Sequence, residues 1–194
     1  MGTTDYTNAA NYDVFAYILS QFPSLSDAGL TGYSFVIPEI LDPVSGNSTI
    51  ALFLGAFALL DTEDENVLMD LWEPINEHIN ATWPGWQAAY YLEYHPSFLS
   101  WWTAHHDADD QAGLDLLVGS WLLDKKALTA DLEELASALR TFAGAGAAMA
   151  HLVAGKGVAD AQPAGGSNAI LPAWRKAYVH ASESCLLWND VEGN

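Results

Sequence analysis

The groups best placed to do chemistry lie near the C-terminal end of the chain. Tyr178, His180 and Ser182 alternate with Ala177, Val179 and Ala181. On an extended strand, alternate residues face opposite sides, so one side is small and apolar while the other carries a phenol, an imidazole and a hydroxyl. Such a face can bind and polarise a ligand, with Tyr178 and His180 as hydrogen-bonding or proton-transferring groups. Equally, it can be an ordinary solvated sheet face. His151 and Val153 alternate with Leu152 and Ala154, and Tyr90, Leu92 and Tyr94 alternate with Tyr91 and Glu93. If these stretches are neighbouring strands, together they form an aromatic, imidazole-bearing wall suited to an apolar small molecule with a few polar groups.

Other groupings carry less. The run His105-His106-Asp107-Ala108-Asp109-Asp110 has metal-ligand residue types, but adjacent histidines on regular structure do not converge on one centre. It reads as a solvated loop, and no metal site is expected. Gly144-Ala145-Gly146 follows a helix rather than a strand, so it reads as a helix stop and not as a phosphate cradle. His180 and Ser182 share a face, but no acid completes a catalytic set, and the chain has no G-x-S-x-G turn and no P-loop.

Those residues need elements to position them. Tyr12, Phe15, Leu19 and Phe22 recur at helical spacing, and Pro23 is expected to end that helix. Tyr33–Ile37 and Thr49–Leu60 read as an antiparallel hairpin, its second strand apolar on both sides and central, the end of its first reduced by Pro38 to an edge or a bulge. Thr62 and Glu65 form a capping box before a helix striped by Val67, Leu71, Trp72, Ile75 and Ile79, with Pro74 a potential kink. A third strand is expected over Trp86–Glu93, a short helix over Pro96–Trp102 and a fourth strand over Val118–Leu123. Thr129 should cap a helix carrying Leu132, Leu135, Leu139 and Phe142. Strands at 150–155 and 177–184 complete the list. Between them, the segment from Gly155 to Trp174 is rich in turn residues, including Gly165-Gly166-Ser167-Asn168, and reads as an ordered, shaped loop. The fold class is α+β: an antiparallel sheet of about six strands with helices on one face, in one domain spanning residues 1–194.

Composition narrows the partners. The 194 residues are 51% hydrophobic, with eight Trp, eight Tyr and seven Phe, enough for a core and an aromatic surface. A net charge of −19, from 25 acids against 6 bases, argues against nucleic acid and against anionic membranes. Cys185 is the only cysteine, so no intrachain disulfide forms. The polar start GTTDYTNAAN carries no signal-peptide pattern and favours the cytoplasm, while the sequons at Asn47 and Asn80 are weak pointers to the secretory pathway.

Four stretches carry a family resemblance: Ser120–Lys126 (SWLLDKK), Gly155-Lys156-Gly157-Val158, the block AQPAGGSNAILPAWRKAYVH at 161–180, and Leu30-Thr31-Gly32-Tyr33. Over residues 5 to 180 the chain resembles the substrate-binding domain of fungal berberine-bridge-type FAD-linked oxidoreductases, within the vanillyl-alcohol-oxidase (VAO) superfamily. The resemblance implies an antiparallel sheet backed by helices, whose open face covers a flavin ring and walls a substrate pocket. The family's flavin-binding domain, with its Gly-rich pyrophosphate loop and its His and Cys anchors for FAD, has no counterpart in this sequence. Cys185 lies in the wrong domain to stand in for the linking Cys. Trp121 and Ala164 stand where relatives commonly carry Arg, which makes the region more apolar.

Three functions follow from that resemblance. The first is a flavin-free enzyme of natural-product biosynthesis, cyclising (a pericyclic four-plus-two closure among the options) or isomerising an apolar polyketide or terpenoid. There Tyr178 and His180 would be catalytic, with Trp121, His151, Tyr90, Trp174, Ser182 and Asn168 around the substrate, and no cofactor bound. The second is part of an FAD-linked oxidoreductase needing its flavin domain in trans. The third is a non-catalytic binding module for the same metabolites. A sheet that once covered a flavin domain should also leave an apolar patch, so a homodimer is expected.

Overall fold

In the computed structural model, the described residues are 2–3, 10–42, 46, 49–106, 116–143, 148–153, 156–164, 166 and 169–186. In chain order the elements are β1 (Gly2–Thr3), α1 (Ala10–Asp27), β2 (Leu30–Leu41), β3 (Thr49–Leu59), α2 (Glu65–Thr82), α3 (Phe98–His105), β4 (Leu116–Asp124), α4 (Lys125–Thr129), α5 (Leu132–Ala143), β5 (Ala148–Leu152), α6 (Lys156–Ala159) and β6 (Ala177–Leu186). A 3₁₀ turn, Pro172–Arg175, leads into β6.

The strands form one sheet in the order β1-β3-β2-β5-β6-β4, and every pairing is antiparallel. Five strands have real length, and β1 adds two residues beside β3. The expected α+β class therefore holds. Membership of the sheet differs at one place: Trp86–Glu93, expected as a strand, forms no ladder and runs as extended chain between α2 and α3. Its alternation has another cause. Trp86 is buried edge-on against Phe15 and donates its indole N–H to Asn11 Oδ1 at 3.2 Å, while Ala89–Leu92 border the cleft against β3 and α2, so its inward residue is set by α1 and not by a sheet.

One face of the sheet carries the core. Ser34 and Val36 from β2, Ala51 and Phe53 from β3, Ala148, Ala150 and Leu152 from β5, and Ala177, Val179 and Ala181 from β6 are all buried there. Small residues on β5 and β6 let α1 approach closely, and Phe15, Ile18, Leu19 and Phe22 of α1 lose all or nearly all contact with water. Burying one such side chain contributes on the order of 1.5–3 kcal/mol. Ser34 would be costly there unpaired, and it donates its hydroxyl to the Ala150 carbonyl across the β2–β5 seam. Gly32 lies at the other seam of β2, against β3. Its φ is +154°, and a Cβ there would lie 2.8 Å from the Phe57 Cα.

Several element ends move from their sequence-based positions. The first helix runs through Pro23 to Asp27, because Phe22, Pro23, Leu25 and Ser26 continue its buried side and packing outweighs the lost backbone bond. Pro38 makes the expected bulge at the end of β2, with the register against β3 shifting between Ile37 and Ile40, beyond the last β5 pairing at Val36. Asp64, not Thr62, caps α2 by accepting from Asn66 N, while Thr62 Oγ1 accepts from Asp64 N. Asp131 rather than Thr129 takes the first turn of α5, accepting from Glu134 N at 2.9 Å. The expected helix near residue 96 forms as α3, capped by Ser97. No helix among the described residues is long and apolar enough to cross a membrane.

Candidate functional site

Among the described residues no long helix packs on the opposite face of the sheet, and two of the six imidazoles, His151 and His180, lie there. His151 on β5 stands directly across from His180 on β6. On the other side of β5, Tyr33 and Phe35 of β2 meet His151 edge-on, with ring centroids 4.9 and 6.0 Å away. Trp174, held by the 3₁₀ turn, covers His180 at 5.1 Å. Met149 and Ser182 extend the patch by one register step, and Ser120 and Leu122 of β4 continue it beyond β6. Tyr33 is 58% exposed and Leu54 on β3 is 51% exposed, so a broad apolar surface faces outward.

Burial shifts the chemistry of this patch. His151 is held below the ordinary imidazole value, first because its surroundings are poor in water and second because a charge on His180 would repel its own. At neutral pH it is therefore the uncharged ring, able to donate from one nitrogen and accept at the other. Its Nδ1 is buried with no hydrogen-bond partner among the described residues. A half-buried, uncharged imidazole flanked by Tyr33, Phe35 and His180 can grip a hydroxyl or carbonyl on an otherwise apolar molecule only through a nitrogen other than this buried Nδ1.

The candidate residues read from sequence separate into two groups. His151, Trp174, His180 and Ser182 come together on the open face, although Ser182 is only 4% exposed and lies beneath its neighbours. Tyr178 does not join them. A register irregularity between Leu123 and Asp124 breaks the alternation beside it, and its hydroxyl donates to Asp27 Oδ1 at 2.9 Å, at the end of α1. That bond is the main reason its phenol is held above the ordinary value, with burial second. Trp121 pairs with Ala181, whose side chain belongs to the covered face, and meets Phe142 of α5 edge-on at 5.6 Å. It is a rim residue on the helical side, 62% exposed. Tyr90 is also on that side. With Ala89, Tyr91 and Leu92 it borders a cleft of about 130 Å³ against Phe53 and Phe57 of β3 and Trp72 of α2, too small for a ligand pocket of about 300 Å³ or more. Burial raises its phenol pKa. Asn168 lies outside the described residues, as do Gly144–Gly146 and Asp107, Asp109 and Asp110.

Two parts of this arrangement were missed by sequence reading. Tyr33 and Phe35 alternate visibly along their strand, but only the pairing of β2 with β5 shows that they flank His151. Glu93, His95 and His105 also converge, the last from α3, with the three ligand atoms within 4.8 Å of one another. The separation in sequence hid that grouping.

The geometry also bears on flavin. The open face offers flat rings to one side of a planar molecule. Among the described residues, however, no strand–glycine–helix turn and no cluster of cations is present to hold a pyrophosphate. These residues do not fit FAD as a complete binding site.

Comparison with known proteins gives two relatives. An uncharacterized FAD-linked oxidoreductase of Arthroderma benhamiae is 30% identical over 165 residues, covering 81% of this chain and 27% of the relative. A VAO-type flavoprotein from Myceliophthora thermophila C1 shares the fold with a TM-score of 0.69 and 21% identity, over 90% of this chain and 31% of that one. No protein-family model matches the chain. The chain thus spans about a quarter to a third of the length of the proteins it matches. The Arthroderma relative bears out the resemblance to FAD-linked oxidoreductases, and the Myceliophthora structure shows that the fold is shared.

Proposed function

We propose that this chain is the substrate-binding part of a VAO-type FAD-linked oxidoreductase, and that its open sheet face is one wall of a pocket completed by a flavin-binding part, in the same polypeptide or in trans. The observation that carries the reading is the uncovered face itself: Tyr33, Phe35, Met149, His151, Trp174 and His180 on a sheet whose other side carries the buried core. FAD would supply the redox chemistry when bound by that other part. The residues of this chain would exclude water, stack against an apolar substrate, and orient one polar group through His180 and neutral His151.

The test is a graft. This chain replaces the homologous segment of the Arthroderma relative, and flavin bleaching is followed without oxygen over a panel of apolar alcohols and phenols. A yellow chimaera that bleaches, and loses bleaching in the His180→Ala or His151→Ala variants while staying yellow, supports the reading. A yellow, folded chimaera whose bleaching ignores both substitutions sinks it.

A second reading keeps the same wall and dispenses with flavin: cyclisation or isomerisation of an apolar polyketide or terpenoid intermediate. It is favoured by the face having its own imidazoles, His151 and His180. Among the described residues this face is an open surface, so the second wall would come from a second copy of the chain, in a homodimer. Turnover by colourless protein, lost in His180→Ala, would favour this reading over a non-catalytic binding module. A monomer by light scattering at tens of micromolar protein would remove the second wall.

A further inference from the structure

We infer that Glu93, His95 and His105 form a zinc site that ties the extended segment after α2 to the end of α3. Glu93 and His95, two apart in the irregular segment after α2, bring their ligand atoms together. His105 closes the last turn of α3, a helix started by the Ser97 cap. The atoms presented are the kinds zinc takes: Glu93 Oε2 lies 3.3 Å from His95 Nε2 and 2.8 Å from His105 Nε2, and the two Nε2 atoms are 3.3 Å apart.

Those separations match a coordination face. With zinc–ligand bonds of about 2.0–2.2 Å at tetrahedral angles, neighbouring ligand atoms sit about 3.3 Å apart. Two of the three edges have that length, and the shorter edge ends on the flexible carboxylate. Without a cation, both ring nitrogens turn toward one carboxylate oxygen and toward each other. A metal satisfies all three lone pairs at once. Imidazole and carboxylate together suit zinc or cobalt, while magnesium prefers an all-oxygen octahedron. The site lies at the surface, His95 being the most covered, and its fourth position opens outward for water or an outside donor. The clamp acts on the segment that carries Tyr90 and Tyr91 along the β3 cleft. It also acts beside Tyr94, whose hydroxyl donates to Glu63 Oε1 at 3.1 Å. The inference is independent of the function proposed above.

The experiment is titration of metal-stripped protein with Zn²⁺ by calorimetry, with Co²⁺ absorption as the geometric readout. One Zn²⁺ per chain is expected, bound at least tenfold more weakly in His95→Ala and in His105→Ala, since losing a direct ligand costs no less than the about 10–100-fold of an outer partner. The His106→Ala variant, which removes the neighbouring ring stacked on Trp102, should bind as the wild type does. Bound Co²⁺ should show intense tetrahedral visible bands, and a tenfold excess of Mg²⁺ should not displace either ion. Each variant is read beside its circular dichroism, and Glu93→Gln gives a further ligand removal should a histidine variant fail to fold. Equal affinity in wild type and ligand variants, or displacement by Mg²⁺, would mean diffuse attraction to an acidic surface and overturn the site.

Discussion

The two faces of the sheet are made by the same strands and differ in nearly everything else. On β5 and β6 the covered side reads Ala148, Ala150, Leu152, Ala177, Val179, Ala181, and the open side reads Met149, His151, His180, Ser182. Small residues on one side admit a helix, and large polarisable rings on the other keep an outward surface without a protein partner among the described residues. The difference shows that stability and recognition have been assigned to alternate residues of one ladder. A substitution should therefore affect one or the other according to the parity of its position.

The largest break in that comparison should come from α1. Phe22→Ala empties a fully buried site and should lower unfolding free energy by about 3–5 kcal/mol in urea titration, against about 0.5 kcal/mol for the exposed Tyr33→Ala. Equal costs would mean that the open face is not open. Gly32→Ala comes next, with an expected loss of about 1–3 kcal/mol, since φ +154° strains an L residue and the new methyl meets the β3 backbone. An unchanged melting temperature would show that the β2–β3 seam can spread. Tyr178→Phe should cost about 1 kcal/mol or less by the same measurement, through loss of the bond to Asp27. If it also abolished activity in the chimaera while the fold survived, Tyr178 would belong to the chemistry after all.

The smallest effect concerns pH. His151 has a folded pKa below its ordinary value of 6.5, so the unfolded chain takes up the proton first as pH falls. Its contribution is complete above 6.5 and declines as pH drops from there toward the folded value. Denaturant titrations between pH 7.5 and about 5 should show that decline flattened in His151→Phe. An identical slope in both proteins would assign the acid sensitivity to other groups.

Much of this was readable in the sequence because local periodicity and tertiary packing agree. The α1 stripe, the β2–β3 hairpin, α3, α5, β4 and β6 all follow from spacing and turn residues. Legibility failed where a non-local contact decided. Trp86 to Glu93 alternates like a strand, yet its buried residue, Trp86, is held by Asn11 and Phe15 of α1. Tyr178 keeps strand spacing with His180, yet a bulge and Asp27 turn its hydroxyl away. At the site, His151 and His180 could be paired from their alternation, but Tyr33 and Phe35 join them only through a ladder between residues more than a hundred positions apart. The Glu93–His95–His105 grouping was hidden for a related reason: it depends on where a helix end folds back on extended chain, which no repeat of residue types encodes.

The strand order has a consequence for how the chain is made. The early hairpin of β2 and β3 finds its next neighbour, β5, only after residue 148, and β6 must then slot between β5 and the earlier β4. During synthesis, the unsatisfied edge of β2 waits for most of the polypeptide to leave the ribosome. Refolding from denaturant should accordingly be limited by a late, long-range docking step and should be prone to clumping at high concentration.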